Sequence, residues 1–326
     1  MTKAFWSLFC NDYRKNCLAW QHSARNPVIP ASGSTWKSHW TANPEILEFA
    51  GKRLLYYRGN GTMPGPDQEL HDRIGVAQII RLSTDNIEIQ DLNDGLPIID
   101  LGDPEAFDRQ HILDPAAIVF QGKILLYYTA VGKGQDSIGL ASSSDGIKFT
   151  KLGKIIEGRA PDVVIKDGRI HMLLQRANGK GGHEFFIASS SNGMSFNIEN
   201  NSPVLAPTAR PAWDGYDVTT GRLFSSDEGF FLLYGGSSSL TDQPDYFGLA
   251  KSNDLIHWER HPGNPIFGCG PKGSEDGGAI WYPALIETQD KYILLYEGSR
   301  GGFTGDISSS ISMASIGKSA ITKGNS

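Results

Sequence analysis

Five stretches of this 326-residue chain place a polar or acidic side chain just where an apolar run begins. They are Asn43 in TANPEIL, Asp114 in ILDPAAI, Asp162 in RAPDVVI, Asp217 in GYDVTTG, and Glu275 with Asp276 in GSEDGGAIWYP. If the five runs converge on one axis, these side chains meet in one funnel although they are far apart in sequence. Three or more carboxylates gathered in a low dielectric repel one another and raise at least one pKa, so that one acid keeps its proton while another is ionised. Cleavage of a glycosidic bond requires a pair of carboxyl groups in those two states. An Asp before Pro is also a common turn former, bonding the backbone two residues on. Recurrence at one place in a repeat, not any single Asp, is what points to chemistry.

The repeat that must position them is best seen from His111 to Ala130, where two apolar runs flank a Gln-Gly-Lys turn and read as a hairpin. Its second strand recurs as RLLYYRG, KILLYYTA, RIHMLLQR, FFLLYGG and KYILLYEG. A third strand follows each, closing on Ala77, Ala141, Ala188, Ala250 and Ala314. Each unit is too small to bury its own apolar faces, so the units must stack. Five units of about four strands give an all-β, five-bladed propeller. The blades fall roughly at 36–95, 108–156, 158–205, 213–267 and 275–316 within a single domain spanning 1–326. The last unit lacks a fourth strand, and residues near 16 to 22 have the form of one, so the amino-terminal stretch is expected to complete blade 5 and close the ring.

Composition narrows the partners. With 39% hydrophobic residues, 38 Gly and 17 Pro the chain suits a sizeable β core rich in turns. A net charge of −6 argues against nucleic acid or an anionic membrane surface. No uncharged window is long enough to cross a bilayer, and Asn11-Asp12 interrupts the short apolar start before a signal-peptide core forms. Three cysteines, Cys10, Cys17 and Cys269, make neither a disulfide framework nor a metal motif. A cytoplasmic protein with no catalytic metal or cofactor is expected, with room for a structural cation on the axis. His111, three residues before Asp114, is a candidate sugar partner or loop histidine. Trp40, Trp213 and Trp281 stand near the strand starts, where an aromatic face stacks on a sugar ring or packs between blades.

In blade rhythm nearly the whole chain resembles the five-bladed propeller glycosidase superfamily, which includes glycoside hydrolase families 43, 32, 68, 117 and 130. The stretch DPAAIVFQGKILLYYTA looks like the Asp-Pro start and Tyr-rich second strand of these families. The runs LLYYRGNG, LLYYTAVG, LLQRANG, LLYGGSS and LLYEGSR are similar in order to the second strands of family 130, as is Trp213-Asp-Gly-Tyr-Asp217 to its fourth blade.

The resemblance implies a carbohydrate substrate and an acid–base mechanism. Under the family 43 pattern Asn43 stands where a general base belongs. Under the family 130 pattern Asp114 matches the acid of an Asp-Pro-Arg motif, with Ala116 in place of its Arg, while Arg58 and Arg176 match other Arg positions that hold a phosphate, a carboxylated sugar or a hydroxyl pair. The expected activity is inverting hydrolysis with Asp114 as acid and Asp162, Asp217, Glu275 or Asp276 as base or pKa modulator. The alternatives are a phosphorylase of the same fold and a noncatalytic carbohydrate-binding propeller.

Overall fold

The computed structural model describes residues 3–33, 35–65, 67–302 and 308–319. Two short helices, α1 (Lys3–Trp6) and α2 (Tyr13–Leu18), precede strand β1 (Gln21–His22). Blade 1 is β2 (Trp40–Phe49), β3 (Lys52–Pro64), β4 (Leu70–Leu82) and β5 (Ile87–Asp91). Blade 2 is β6 (His111–Phe120), β7 (Lys123–Val131), β8 (Ser137–Ser143) and β9 (Thr150–Glu157). Blade 3 is β10 (Arg159–Lys166), β11 (Arg169–Ala177), β12 (His183–Ser190) and β13 (Asn197–Ile198). Blade 4 is β14 (Asp217–Ser226), β15 (Gly229–Ser237), β16 (Tyr246–Ser252) and β17 (Glu259–Arg260), with β18 (Phe267–Gly268) also paired to β16. Blade 5 is β19 (Ala279–Glu287), β20 (Lys291–Ser299) and β21 (Ser309–Gly317), and β1 pairs with β21 to complete it. The first strands β2, β6, β10, β14 and β19 pack in sequence around one axis, and β19 returns to β2. The chain is a closed five-bladed propeller.

Ring closure uses a later part of the amino terminus than the sequence suggests. Gln21 and His22 pair with β21, opposite Ser315 and Ala314, and the contact continues through the Ser23 amide on Met313 O at 2.9 Å and a bridge between Ile29 and Ile311. Residues 13–18 are helical instead, because Asp12 caps the helix by accepting the Arg14 amide. The Asn16 side chain then donates to the Gly263 carbonyl at 2.8 Å and ties the helix to the blade 4 side.

The Leu-Leu-Tyr-Tyr signature has a physical reading. Successive side chains on a strand face opposite sides, so the paired tyrosines do two jobs. The first reaches the next blade: Tyr56 donates to Gly146 O at 3.0 Å and Tyr127 to Gly193 O at 2.7 Å. The second stays within its blade and donates to an Asp, exposed in blade 1 and buried in the others, that also meets a Lys, Arg or His side chain. The sets are Tyr57–Asp91–Lys37, Tyr128–Asp108–Lys151, Tyr234–Asp214–Arg260 and Tyr296–Asp276–His22. In the last, the partner comes from β1, so the His22 imidazole takes in blade 5 the place that Lys151 and Arg260 take from fourth strands. Apolar clusters fill the blade interfaces, and Phe5, Leu8, Phe9 and Trp20 plug the one between blades 4 and 5.

Candidate functional site

Every first strand breaks register at the same place. The shifts lie between Ala42 and Glu45, Leu113 and Ala116, Arg159 and Asp162, Thr219 and Arg222, and Trp281 and Ala284. The first residue inside each break is left-handed: Asn43 at φ 47°, Asp114 at 55°, Ala160 at 49°, Thr220 at 51° and Tyr282 at 51°. The second is Pro44, Pro115, Pro161, Gly221 or Pro283. Proline has no amide to give to a ladder, so the bulge settles there. Asn and Asp visit this backbone region readily, whereas Ala, Thr and Tyr pay about 1–2 kcal/mol each, a strain that the closed ring holds at the axis.

These bulges wall a cavity of about 200 Å³ at the starts of the first strands. Asn43, Asp114 and Tyr282 line it with Trp40 and Trp281, Arg58, Arg159, Asp242, Glu297 and Ser309. Glu297 accepts from Asn43 Nδ2 at 3.0 Å and from Arg58 Nη2 at 3.3 Å. Burial lifts its pKa, with Arg58 opposing and Asp114 adding to the rise. Arg58 also faces Asp72 at 3.6 Å, and Asp72 in turn accepts from Trp40 Nε1 at 2.9 Å and pairs with His111 at 2.8 Å. Asp242 accepts from Thr219 Oγ1 at 2.8 Å and lies 3.9 Å from Arg159; burial raises its pKa against the pull of that cation. The Tyr282 phenol is pushed far up by burial and by Asp114 and Asp242. Asp114 is 1% exposed and its Oδ2 has no hydrogen-bond partner. Beside this carboxyl group the Tyr282 phenol is the nearest protein donor, and Oδ2 is left open to a group in the cavity.

Of the residues expected from sequence, the cavity gathers Asn43, Arg58, Asp114, Trp40 and Trp281, with His111 behind the Trp40 wall through Asp72. The others lie elsewhere, and the expected equivalence of the acids is corrected. Asp162 comes two residues after the blade 3 bulge residue, Ala160, and binds Arg222 on the far side of the bulges. Asp217 is fully buried at the start of β14, accepting from the backbone and Nδ1 of His183 and from the Asp242 amide. Asp276 belongs to the Tyr296–His22 set; although burial opposes it, bonds from His22, Tyr296 and Ser274 hold it down to about 2. Glu275 is half-buried and pairs with Arg300. Trp213 packs on Gly236 and Gly248 beside Tyr234 rather than facing the cavity.

Arg176 is corrected by one residue. Register places Arg58, Thr129, Gln175, Gly235 and Glu297 at one position of the second strands. Arg176 is the next residue along and so points to the other face of its sheet, over the Phe186 ring and bonded to Glu157 O. It lines a separate groove that meets the cavity at Arg159, with Gln175 and His183. Among the described residues no group of three or more His, Cys, Asp or Glu is placed to hold a metal.

Below the bulges the axis carries charge. Arg222 lies between Asp162, at 3.2 Å, and Glu45, at 3.7 Å, so the chain itself places a positive charge on the axis. Beyond it a second cavity of about 500 Å³ opens at the other end of the same strands. Burial lifts Glu45 to about 7, with Arg222 opposing and Asp162 adding to the rise. An unfolded Glu titrates near ~4.3, so between these values the native chain holds a proton that the unfolded chain has lost. Stability should therefore fall as pH rises through that window and level off above about 7. Urea unfolding at pH 5 and pH 8 should show the fall, and Glu45→Gln should shrink it; an undiminished fall in the variant would assign the titration to another group.

No family model matches the chain, and no curated protein matches it in sequence. Solved structures do. A β-1,2-mannobiose phosphorylase from Listeria innocua, in complex with β-1,2-mannobiose, aligns with a TM-score of 0.72 at 16% identity over 93% of this chain and 98% of its own. A structure from work on family 130 mannoside phosphorylases and on hydrolases that target β-1,2-mannosidic linkages in Candida mannan gives 0.68 at 18%, over 90% and 93%. A family 117 glycoside hydrolase produced by Zobellia galactanivorans gives 0.63 at 14%, over 91% and 89%. The chain shares with them the five-bladed propeller fold.

Proposed function

We propose that this protein is a glycoside hydrolase that removes a terminal sugar from a small oligosaccharide or glycoside with inversion. The observation that carries the reading is the unpartnered, buried Oδ2 of Asp114 in a cavity faced by Trp40 and Trp281. The cavity is on the scale of one sugar ring, and aromatic faces suit the apolar side of such a ring. Asp114 gives its proton to the glycosidic oxygen as the bond breaks. Asp242, made more basic by burial, takes a proton from the water that attacks the anomeric carbon from the opposite side. Glu297, held by Asn43 and Arg58, binds sugar hydroxyls beside the anomeric centre. The structural neighbours, which include glycoside hydrolases and a β-1,2-mannobiose phosphorylase, support a carbohydrate substrate.

Phosphorolysis is the second reading, and Arg159 favours it. Its buried Nε has no partner, and its guanidinium stands 3.8–3.9 Å from Asp136 and Asp242 at the border of cavity and groove. An attacking phosphate there would meet a cation with donors to spare. A panel of aryl glycosides, including α-arabinofuranoside, β-xyloside, β-mannoside and β-fructoside-type substrates, assayed with and without phosphate, separates the two. Turnover without phosphate is the expected result; strict phosphate dependence would replace hydrolysis by phosphorolysis. Sugar binding without turnover of any substrate would leave a noncatalytic propeller.

A further inference from the structure

We propose that Arg222 is a positioning residue for the site: one guanidinium at the propeller axis fixes the bulges that carry Asn43, Asp114 and Tyr282. The role rests on the glycoside-cleaving reading only for its kinetic consequence.

The residue just after each bulge occupies an equivalent position, and the five are Glu45, Ala116, Asp162, Arg222 and Ala284. Two alanines leave the axis open, and two acids balance one cation. Arg222 fills the space at 2% exposure. Its Nη2 donates to Pro44 O at 3.2 Å and to Pro115 O at 3.1 Å, the carbonyls directly after Asn43 and Asp114. A bulge interrupts the ladder that would otherwise satisfy such carbonyls. Its Nη1 donates to Asp162 in blade 3 at 3.2 Å, and its guanidinium carbon lies 5.4 Å from the centre of the Tyr282 ring in blade 5. With Arg222 itself in blade 4, one side chain touches all five blades.

The acids extend the clamp into the strands beyond. Asp162 Oδ2 accepts the Leu223 amide at 2.5 Å, and Glu45 Oε1 accepts the Ala117 amide at 3.1 Å. A planar fork with five donors can bridge two carbonyls and a carboxylate at once, whereas an ammonium on a flexible stem cannot hold that geometry. What depends on the fork is the spacing of the blade 1 and blade 2 bulges, hence the distance between Asp114 and the Asn43–Glu297 wall across which a sugar would lie.

The test uses Arg222→Lys, which keeps the charge and loses the fork, with a neutral triple variant, Glu45→Gln with Asp162→Asn and Arg222→Met, as the second construction if the first does not fold. Removing all three charges together avoids leaving one buried alone. Hydrogen–deuterium exchange read by mass spectrometry should show peptides covering 41–48 and 112–119 exchanging at least tenfold faster than in wild type, with outer strands unchanged. On the substrate that the wild type turns over, kcat should fall on the order of 10²-fold with KM within a few-fold, the signature of a reacting group displaced by about an ångström. Faster exchange at the bulges in a protein whose wild type cleaves no glycoside would keep the clamp and discard the activity. A folded variant with unchanged exchange at both bulges, or with wild-type kcat beside an active wild type, would overturn the proposal.

Discussion

Asp114→Asn is expected to lower kcat by about 10²–10⁴-fold, the usual contribution of a positioned acid, while leaving the fold intact. The substitution keeps the shape of a side chain that is 1% exposed at a left-handed bulge, and Asn is as tolerant of that backbone as Asp. It removes the group that can hand a proton to a leaving oxygen. Substrates with a good leaving group, such as dinitrophenyl glycosides, need that proton less and should lose less activity. The measurement is kcat on a poor and a good leaving group in parallel. A uniform loss on both would place Asp114 in binding or structure; no loss on either would remove it from the reaction.

Asp217→Ala is expected to lower the unfolding free energy by about 3–5 kcal/mol, because it orphans one buried and one half-buried backbone amide and a histidine. Asp217 has no exposed surface; it accepts the His183 amide at 2.6 Å, His183 Nδ1 at 3.1 Å and the Asp242 amide at 2.5 Å. The same bonds hold the loop that carries Asp242 into the cavity, so activity should fall with stability. Asp217→Asn keeps one carbonyl acceptor and should cost less on both counts. Urea unfolding of the two variants decides it: a stable Asp217→Ala with selectively lost kcat would return Asp217 to the chemistry.

The contrast between these two aspartates shows what a single sequence carries. The hairpin rhythm is legible because paired tyrosines must face opposite ways, one toward the next blade and one toward an Asp within its own. The site was legible where residue type and backbone demand coincide, at Asn43-Pro44 and Asp114-Pro115. It was misread where they part: the common feature of the column is the residue before Pro or Gly at a bulge, which gives Ala160, Thr220 and Tyr282, not the nearest acids Asp162, Asp217 and Asp276. Tyr282-Pro283 was therefore visible in principle. Glu297 was equally visible, since LLYYRG and LLYEGS align it with Arg58, and the same alignment puts Gln175 rather than Arg176 in that column. Asp242 was not, because it lies in the connection between β15 and β16, outside the strand segments that repeat. Arg159 precedes an Ala-Pro bulge with nothing beside it to mark its charge as functional.

The central claim, that a glycosidic bond is cleaved in the cavity bounded by Trp40, Asp114 and Glu297, is tested most directly by a crystal structure of Asp114→Asn with an uncleaved glycoside that the wild type turns over. The expected result is one sugar ring between Trp40 and Trp281, hydroxyls on Glu297 and Arg58, and the glycosidic oxygen within hydrogen-bond reach of the side chain at position 114. A glycoside seated instead in the groove beside Arg176 or in the far axial cavity, with no contact to position 114, would contradict it.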